Sequence, residues 1–188
     1  MTKYILHGGN TSENHSDNDA FFKEIADSVP ENGTLLLNYF SRIKGDAERC
    51  YKQDTKKILK VSKRKDIKFE VADAKILKNQ LVKCDGMYMR GGGTPELKRK
   101  LNKTNNLEIL FKGKTISGSS AGAYVLVKYY NGNTLNKNSE GLGMLKMKLR
   151  CHYSKKDDNK VIPSLLSYKE KNMPVITLGD HEWVIIFK

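Results

Sequence analysis

The chain has 188 residues, 38% of them hydrophobic and 29% charged, with a formal net charge of +13. That length supports one domain, residues 1–188, with a buried core that needs no disulfide staples. No stretch approaches the ~20 apolar residues of a membrane span. The start, Met1 to Leu6, lacks the long apolar region and small-residue cleavage site of a signal peptide. The three cysteines, Cys50, Cys84 and Cys151, form no CxxC pair. Free thiols in a reducing cytoplasm are therefore expected, without a zinc site. Only six of the 34 basic residues are arginines, and the lysines are spread along the chain among acidic residues. No nucleic-acid-binding motif accompanies the charge, so a solvated basic surface is the better reading, one that could attract acidic substrates.

Tyr4 to His7 forms a short strand ending in the turn Gly8-Gly9-Asn10-Thr11-Ser12. Phe21, Phe22, Ile25, Ala26 and Val29 then recur at helical spacing after a cap at Asp17 or Asn18. Thr34 to Phe40 is nearly continuous apolar sequence, as in a strand covered on both faces. A polar helix over about Asp46 to Ser62, a strand over Ile67 to Val71, a short helix from Ala74 to Leu81 and a strand over Asp85 to Met89 follow. Next come Gly91-Gly92-Gly93-Thr94-Pro95 and a helix through Leu97 and Leu101. An apolar run through Ile109, Leu110 and Phe111 and then Lys114 to Ile116 leads as a strand into Gly118-Ser119-Ser120-Ala121-Gly122. Tyr130 to Gly143, including Asn133, Asn136 and Asn138, reads as a long surface loop. Met147 to Tyr153 alternates as a strand, Ser154 to Lys160 is a charged turn, and Ile162 to Lys169 suits a helix. Pro174 to Leu178 and Trp183 to Phe187 read as a closing strand pair across Gly179-Asp180-His181-Glu182. Strands alternating with helices across short connections imply an α/β fold with a mostly parallel sheet wrapped by helices. In such sheets the ligand crevice lies beyond the carboxyl ends of the strands, where Gly8-Gly9, Gly91 to Gly93 and Ser120 are all expected.

The G-x-S-x-G stretch centred on Ser120, between a strand and an apolar helix, matches a nucleophile elbow. Gly118, Ala121 and Gly122 clear the sharp turn on which such a serine must stand. The Ala121 N–H, at the start of the following helix, is a candidate oxyanion donor. A serine hydroxyl needs a base. Of the four histidines, His152 is preferred: it ends a strand after the nucleophile, beside a charged loop. His7 could line the same crevice, while His15 and His181 read as surface residues. For the group that orients the base, Glu140, Asp157, Asp158, Asp180 and Glu182 all remain open, with Glu140 preferred. The Gly91 to Gly93 loop suits either a second oxyanion donor or a phosphate cradle, although neither nucleotide-loop pattern is present.

The glycine loop after Asp85-Gly86-Met87-Tyr88-Met89, the Ser120 elbow, the His152-Tyr153 strand end and the Gly8-Gly9-Asn10-Thr11 turn together resemble the dipeptidase E and cyanophycinase-like serine peptidases. The resemblance runs over most of the chain through short motifs. It implies a three-layer α/β/α sandwich of the flavodoxin-like, class I glutamine amidotransferase-like type. It also implies a Ser–His hydrolase with no metal or organic cofactor, in which Ser120 is the nucleophile, His152 the base, and Gly92 with Ala121 the oxyanion donors. Its expected partners are small, Asp-containing peptides, with neither nucleic acid nor membrane, and a homodimer is the assembly to test. Three departures stand out. Gly93 occupies a position where the family often has Asn; the post-elbow loop offers only Glu140; and no arginine follows His152 to clamp an aspartyl carboxylate. An esterase using the same pair, or a non-catalytic ligand-binding module on the same fold, are the other readings of these residues.

Overall fold

The computed structural model describes residues 1–43, 45–132 and 137–188. Ten strands and seven α-helices are present among them. In chain order they are β1 (Lys3–His7), α1 (Ser16–Asp27), β2 (Thr34–Asn38), α2 (Ala47–Ser62), β3 (Lys68–Val71), α3 (Leu77–Lys83), β4 (Gly86–Met89), α4 (Thr94–Leu101), α5 (Leu107–Phe111), β5 (Thr115–Ser119), α6 (Ala121–Leu126), β6 (Val127–Gly132), β7 (Lys137–Glu140), β8 (Leu145–Cys151), α7 (Val161–Ser167), β9 (Val175–Leu178) and β10 (Trp183–Phe187).

A six-stranded sheet has the order β10-β1-β5-β4-β2-β3, parallel throughout except for β10. Side chains alternate across a strand, and here the alternation sorts them between two helical layers. Ile5, Leu35, Leu37 and Tyr88 join Phe21, Phe22 and Ile25 of α1 and Cys50 and Ile58 of α2. Leu6, Leu36, Met87, Met89 and Ile116 join residues of α3, α4, α5 and α6. The fold is thus α/β, with a mostly parallel sheet flanked by helices on both faces. Among the described residues, no helix is long and apolar enough to cross a membrane.

A second sheet, β7-β6-β8-β9, extends the α3–α6 side and shares its core through Val127, Tyr130, Leu149, Cys151 and Leu178. Here three sequence expectations are corrected. The stretch from Tyr130 to Gly143 is not one loop: β6 pairs with both β7 and β8, although Asn133 and Asn136 lie outside the described residues. Polar composition concealed these strands because β7 is an edge strand whose side chains are largely solvated. The segments β9 and β10 do not pair with each other; β9 joins β8 in the second sheet and β10 joins β1 in the first. The residues between them therefore span from one sheet to the other. Finally, Leu107–Phe111 is a short helix that buries Leu107 and Phe111, so the strand before the elbow begins only at Thr115.

Parallel order places the carboxyl ends of β1, β5, β4 and β2 along one edge. Antiparallel β10 brings its own start to that edge, and the same register in the second sheet delivers the end of β8 beside it.

Candidate active site

The elbow forms where β5 stops. Ser120 has φ 49° and ψ −106°, and α6 begins at the next residue. A non-glycine residue in such a conformation costs about 1–3 kcal/mol and persists only where its surroundings enforce it. They do so here by close backbone approach. A Cβ on Gly122 would lie 2.1 Å from the Met89 carbonyl oxygen, so only glycine lets α6 sit against β4. The Ser120 N–H donates to the His7 carbonyl at 2.9 Å, and the Ser120 carbonyl accepts from Tyr124 N–H at 2.8 Å. The first amides of a helix have no acceptor within it, and Ala121 supplies the first of those in α6. On the other side the Gly91–Gly93 loop is pinned by Ser41. Its hydroxyl donates to the Arg90 carbonyl at 2.7 Å, and its carbonyl accepts from Gly93 N–H at 2.8 Å.

His152 follows β8 and also has a positive φ, 52°. Its Nε2 lies 3.0 Å from Ser120 Oγ, and its Nδ1 lies 2.5 Å from Asp180 Oδ1. With Nδ1–H donating to the carboxylate, Nε2 is the acceptor for the serine O–H. The ring lies flat against Gly9, where a Cβ would stand 2.0 Å from Cε1. Asp180 sits in the turn between β9 and β10, which is closed by Gly179 N–H donating to the Glu182 carboxylate at 2.7 Å.

One dipeptide registers the loops that carry His152 and Asp180. The Gly8 carbonyl accepts from His152 N–H at 3.1 Å, the Gly8 N–H donates to the Glu182 carbonyl at 2.8 Å, and the Gly9 carbonyl accepts from His181 N–H at 3.3 Å. Beneath them His7 is fully buried and not part of the crevice wall. Its Nδ1 accepts from Gly9 N–H at 3.0 Å and its Nε2 donates to Asn18 Oδ1 at 2.9 Å. Burial lowers its pKa to about 4, so it is a neutral strut rather than a second base. His15 and His181 stack on each other with ring centroids 4.3 Å apart, and His181 Nε2 lies 3.1 Å from Glu13.

The carboxylates weighed from sequence fall in different places. Glu140 is not behind His152. It ends the edge strand β7 and pairs with Lys169, whose ammonium holds its pKa below the usual value. Asp157 is buried against Arg150, Asp158 accepts from Tyr153 O–H at 2.7 Å, and Glu182 closes its own turn. Asp180 alone of these five meets the imidazole. Position in the loop after the elbow favoured Glu140, but the carboxylate that meets the imidazole comes from the turn that leads into the last strand. The one clue in the chain was the position of Asp180 at the end of a strand in the carboxyl-edge row.

Two cavities open on Ser120. One, of about 300 Å³, is lined by His152, Gly91, Gly92 and the arginines Arg42, Arg49 and Arg90. The other, of about 370 Å³, is lined by Gly92, Pro95, Tyr124 and Tyr130. No arginine follows His152 at the site, but three reach it from α2 and from the loops after β2 and β4, in the half of the chain where no clamp was expected.

The family model of peptidase family S51 matches residues 5–188. No curated protein matches the chain. Among solved structures, a peptidase from an acI-B1 actinobacterium is similar at a TM-score of 0.73 and 14% identity, covering 99% of this chain and 83% of that one. A candidate peptidase E from Listeria monocytogenes EGD-e is similar at a TM-score of 0.68 and 17% identity, covering 99% of this chain and 94% of that one. At those identities the neighbours bear on the fold, whereas the family match spans nearly the whole sequence. The chain belongs to peptidase family S51, and with it to the serine-type peptidases.

Proposed function

We propose that the protein hydrolyses short, Asp-containing peptides through a Ser120–His152–Asp180 triad, with Gly92 and Ala121 as oxyanion donors. The observation that carries this reading is the continuous run of contacts from Ser120 Oγ through the His152 ring to Asp180, at 3.0 and 2.5 Å. Ser120 Oγ attacks the scissile carbonyl as Nε2 takes its proton. Asp180 holds the ring in the tautomer that can accept it and stabilises the imidazolium that forms. The tetrahedral oxyanion develops between the glycine loop and the first turn of α6, where the two backbone N–H groups meet it. His152 then returns the proton to the leaving amine. Water, activated by the same ring, frees the acyl group. The arginine-lined cavity supports an acidic residue in the substrate, because guanidinium groups match a carboxylate in geometry and charge.

The test is labelling with a serine-directed phosphonate, followed by peptide mapping, alongside amine release from a panel of dipeptides. Modification at Ser120 that blocks turnover is expected. Turnover that survives in Ser120→Ala would sink the reading.

A further inference from the structure

His152 lies one residue beyond β8 with a φ of 52°, which a side chain with a Cβ keeps only where its surroundings enforce it. The Gly8-Gly9 turn meets its amide and its ring. A second support comes from the elbow helix. The Tyr124 hydroxyl donates to the Cys151 carbonyl at 3.1 Å and accepts from the Cys151 N–H at 2.9 Å. One phenol oxygen thus engages both backbone groups of the residue immediately before His152. The main chain of the same tyrosine is tied to the serine, because Tyr124 N–H donates to the Ser120 carbonyl at 2.8 Å. Ser120 and His152 come from separate elements, and Tyr124 spans the gap between them.

The bridge is dry and rigid. Tyr124 is 3% exposed and Cys151 0%. A buried N–H or C=O left without a partner is costly, so hydroxyl and strand end hold each other in place. Burial raises the pKa of the phenol above its ordinary value, which keeps the O–H available to donate. The ring is stacked on Tyr130 with centroids 4.7 Å apart, and Tyr130 stands opposite Leu149 of β8. Cys151 Sγ lies 4.0 Å from the Ser120 carbonyl oxygen. Beyond His152 the chain is fastened again. Arg150, which also hydrogen-bonds the Tyr124 phenol, donates from Nε and Nη2 to the two oxygens of Asp157, each at 3.1 Å. Asp157 accepts in turn from Ser154 N–H at 3.2 Å. His152 therefore sits between two anchored points, Cys151 before it and Ser154 after it.

We infer that Tyr124 is a positioning residue of the hydrolytic site: its hydroxyl ties the end of β8 to the elbow helix and so sets the reach of His152 to Ser120 Oγ, with the Arg150–Asp157 pair closing the other side. This rests on the Ser120–His152 hydrolase reading above and adds the part that spaces the two groups. Its effect on rate passes through His152. Without the hydroxyl, the two backbone groups of Cys151 must move to find other partners, and the imidazole moves with them. A misplacement of about 1 Å can cost about 10²-fold in rate.

The experiment is Tyr124→Phe, which keeps the ring and removes the hydroxyl. Three quantities are measured on it and on wild type: kcat and KM for a dipeptide that the wild type cleaves, the second-order rate of Ser120 labelling by a serine-directed phosphonate, and the unfolding midpoint. Tyr129→Phe is the control, the same change at a phenol that bonds Glu170 instead. In Tyr124→Phe, well below its midpoint, kcat should fall by about 10- to 100-fold with KM within about twofold, and labelling should slow by the same factor. Tyr129→Phe should stay within about twofold in kcat. Asp157→Asn keeps the shape of the far anchor and weakens its charge, and should lower kcat by about three- to tenfold. If Tyr124→Phe does not fold, the Asp157→Asn rates decide; if no dipeptide is cleaved, the labelling rates decide. Wild-type kcat and labelling in Tyr124→Phe would overturn the inference. So would a rise in KM with kcat unchanged, which would make the hydroxyl a substrate contact. A loss that vanishes on cooling in step with the unfolded fraction, or an equal loss in Tyr129→Phe, would reduce it to a contact of the fold. Labelling and turnover that persist in Ser120→Ala would instead remove the hydrolase reading, and this inference with it.

Discussion

Ser120 stands in a motif that is contiguous in the sequence, whereas His152 and Asp180 are brought together by residues from the opposite end of the chain. Gly118 and Gly122 bracket the serine, β5 leads into it fully buried, and α6 leads out. The imidazole instead rests on Gly9, its backbone hangs from Gly8, and its carboxylate arrives on a turn that joins two sheets. The proposed nucleophile is a local device and the proposed base–acid pair an assembled one. A local device tolerates distant change; an assembled one fails when any of several strands shifts.

Substitutions can break that contrast at graded strength. Ser120→Ala removes the proposed nucleophile and should lower kcat/KM by about 10⁴-fold or more, while circular dichroism and the unfolding midpoint stay close to wild type. Asp180→Asn should lower kcat by about 10³- to 10⁴-fold by favouring the wrong imidazole tautomer. Glu140→Gln, which loses only an exposed ion pair, should change kcat by less than about twofold. Equal effects from those two substitutions would erase the assignment of the acid. Gly9→Ala touches neither serine nor carboxylate, yet its methyl would meet the His152 ring, so kcat should drop by about 10²-fold. Wild-type kcat in that variant would mean that the turn does not set the ring.

His7 gives the smallest effect, and one visible in stability rather than rate. Its folded pKa of about 4 lies below the ordinary value of 6.5 because burial disfavours the charged ring. The unfolded chain therefore binds the proton that the folded chain refuses. Stability from this group is complete above about pH 6.5 and is lost as pH falls toward 4. Between pH 8 and pH 5 the loss should be about 2 kcal/mol, read from denaturant midpoints. His7→Gln should flatten that part of the profile.

The same contrast explains what could be read before the structure. The alternation of apolar runs and helical spacings marks every strand of the first sheet, because most of those strands are covered on both faces and their helices follow at once. The elbow is equally plain, since its glycines and serine are contiguous. The second sheet was harder. In β7, Lys137-Asn138-Ser139-Glu140 pairs only along one edge, so nothing in its side chains betrays a strand. The separation of β9 from β10 was hidden for a related reason: a four-residue gap suits a hairpin as well as a step between sheets. Once β10 is placed beside β1, Asp180 falls at the carboxyl edge, and its meeting with His152 follows. The three arginines converge from separate segments, so no spacing in the chain could announce them.

The Gly8-Gly9 dipeptide follows directly on the first strand, but the loops that it anchors belong to the last crossings of the chain. The contacts that complete the site thus join residues among the most distant in sequence, and such closures are slow. After dilution from denaturant, helical signal should return well before peptide turnover, with the delay marking the docking of β10 against β1. Any cellular factor that traps the chain before that event would hold a well-formed but silent molecule, without occupying the crevice at all.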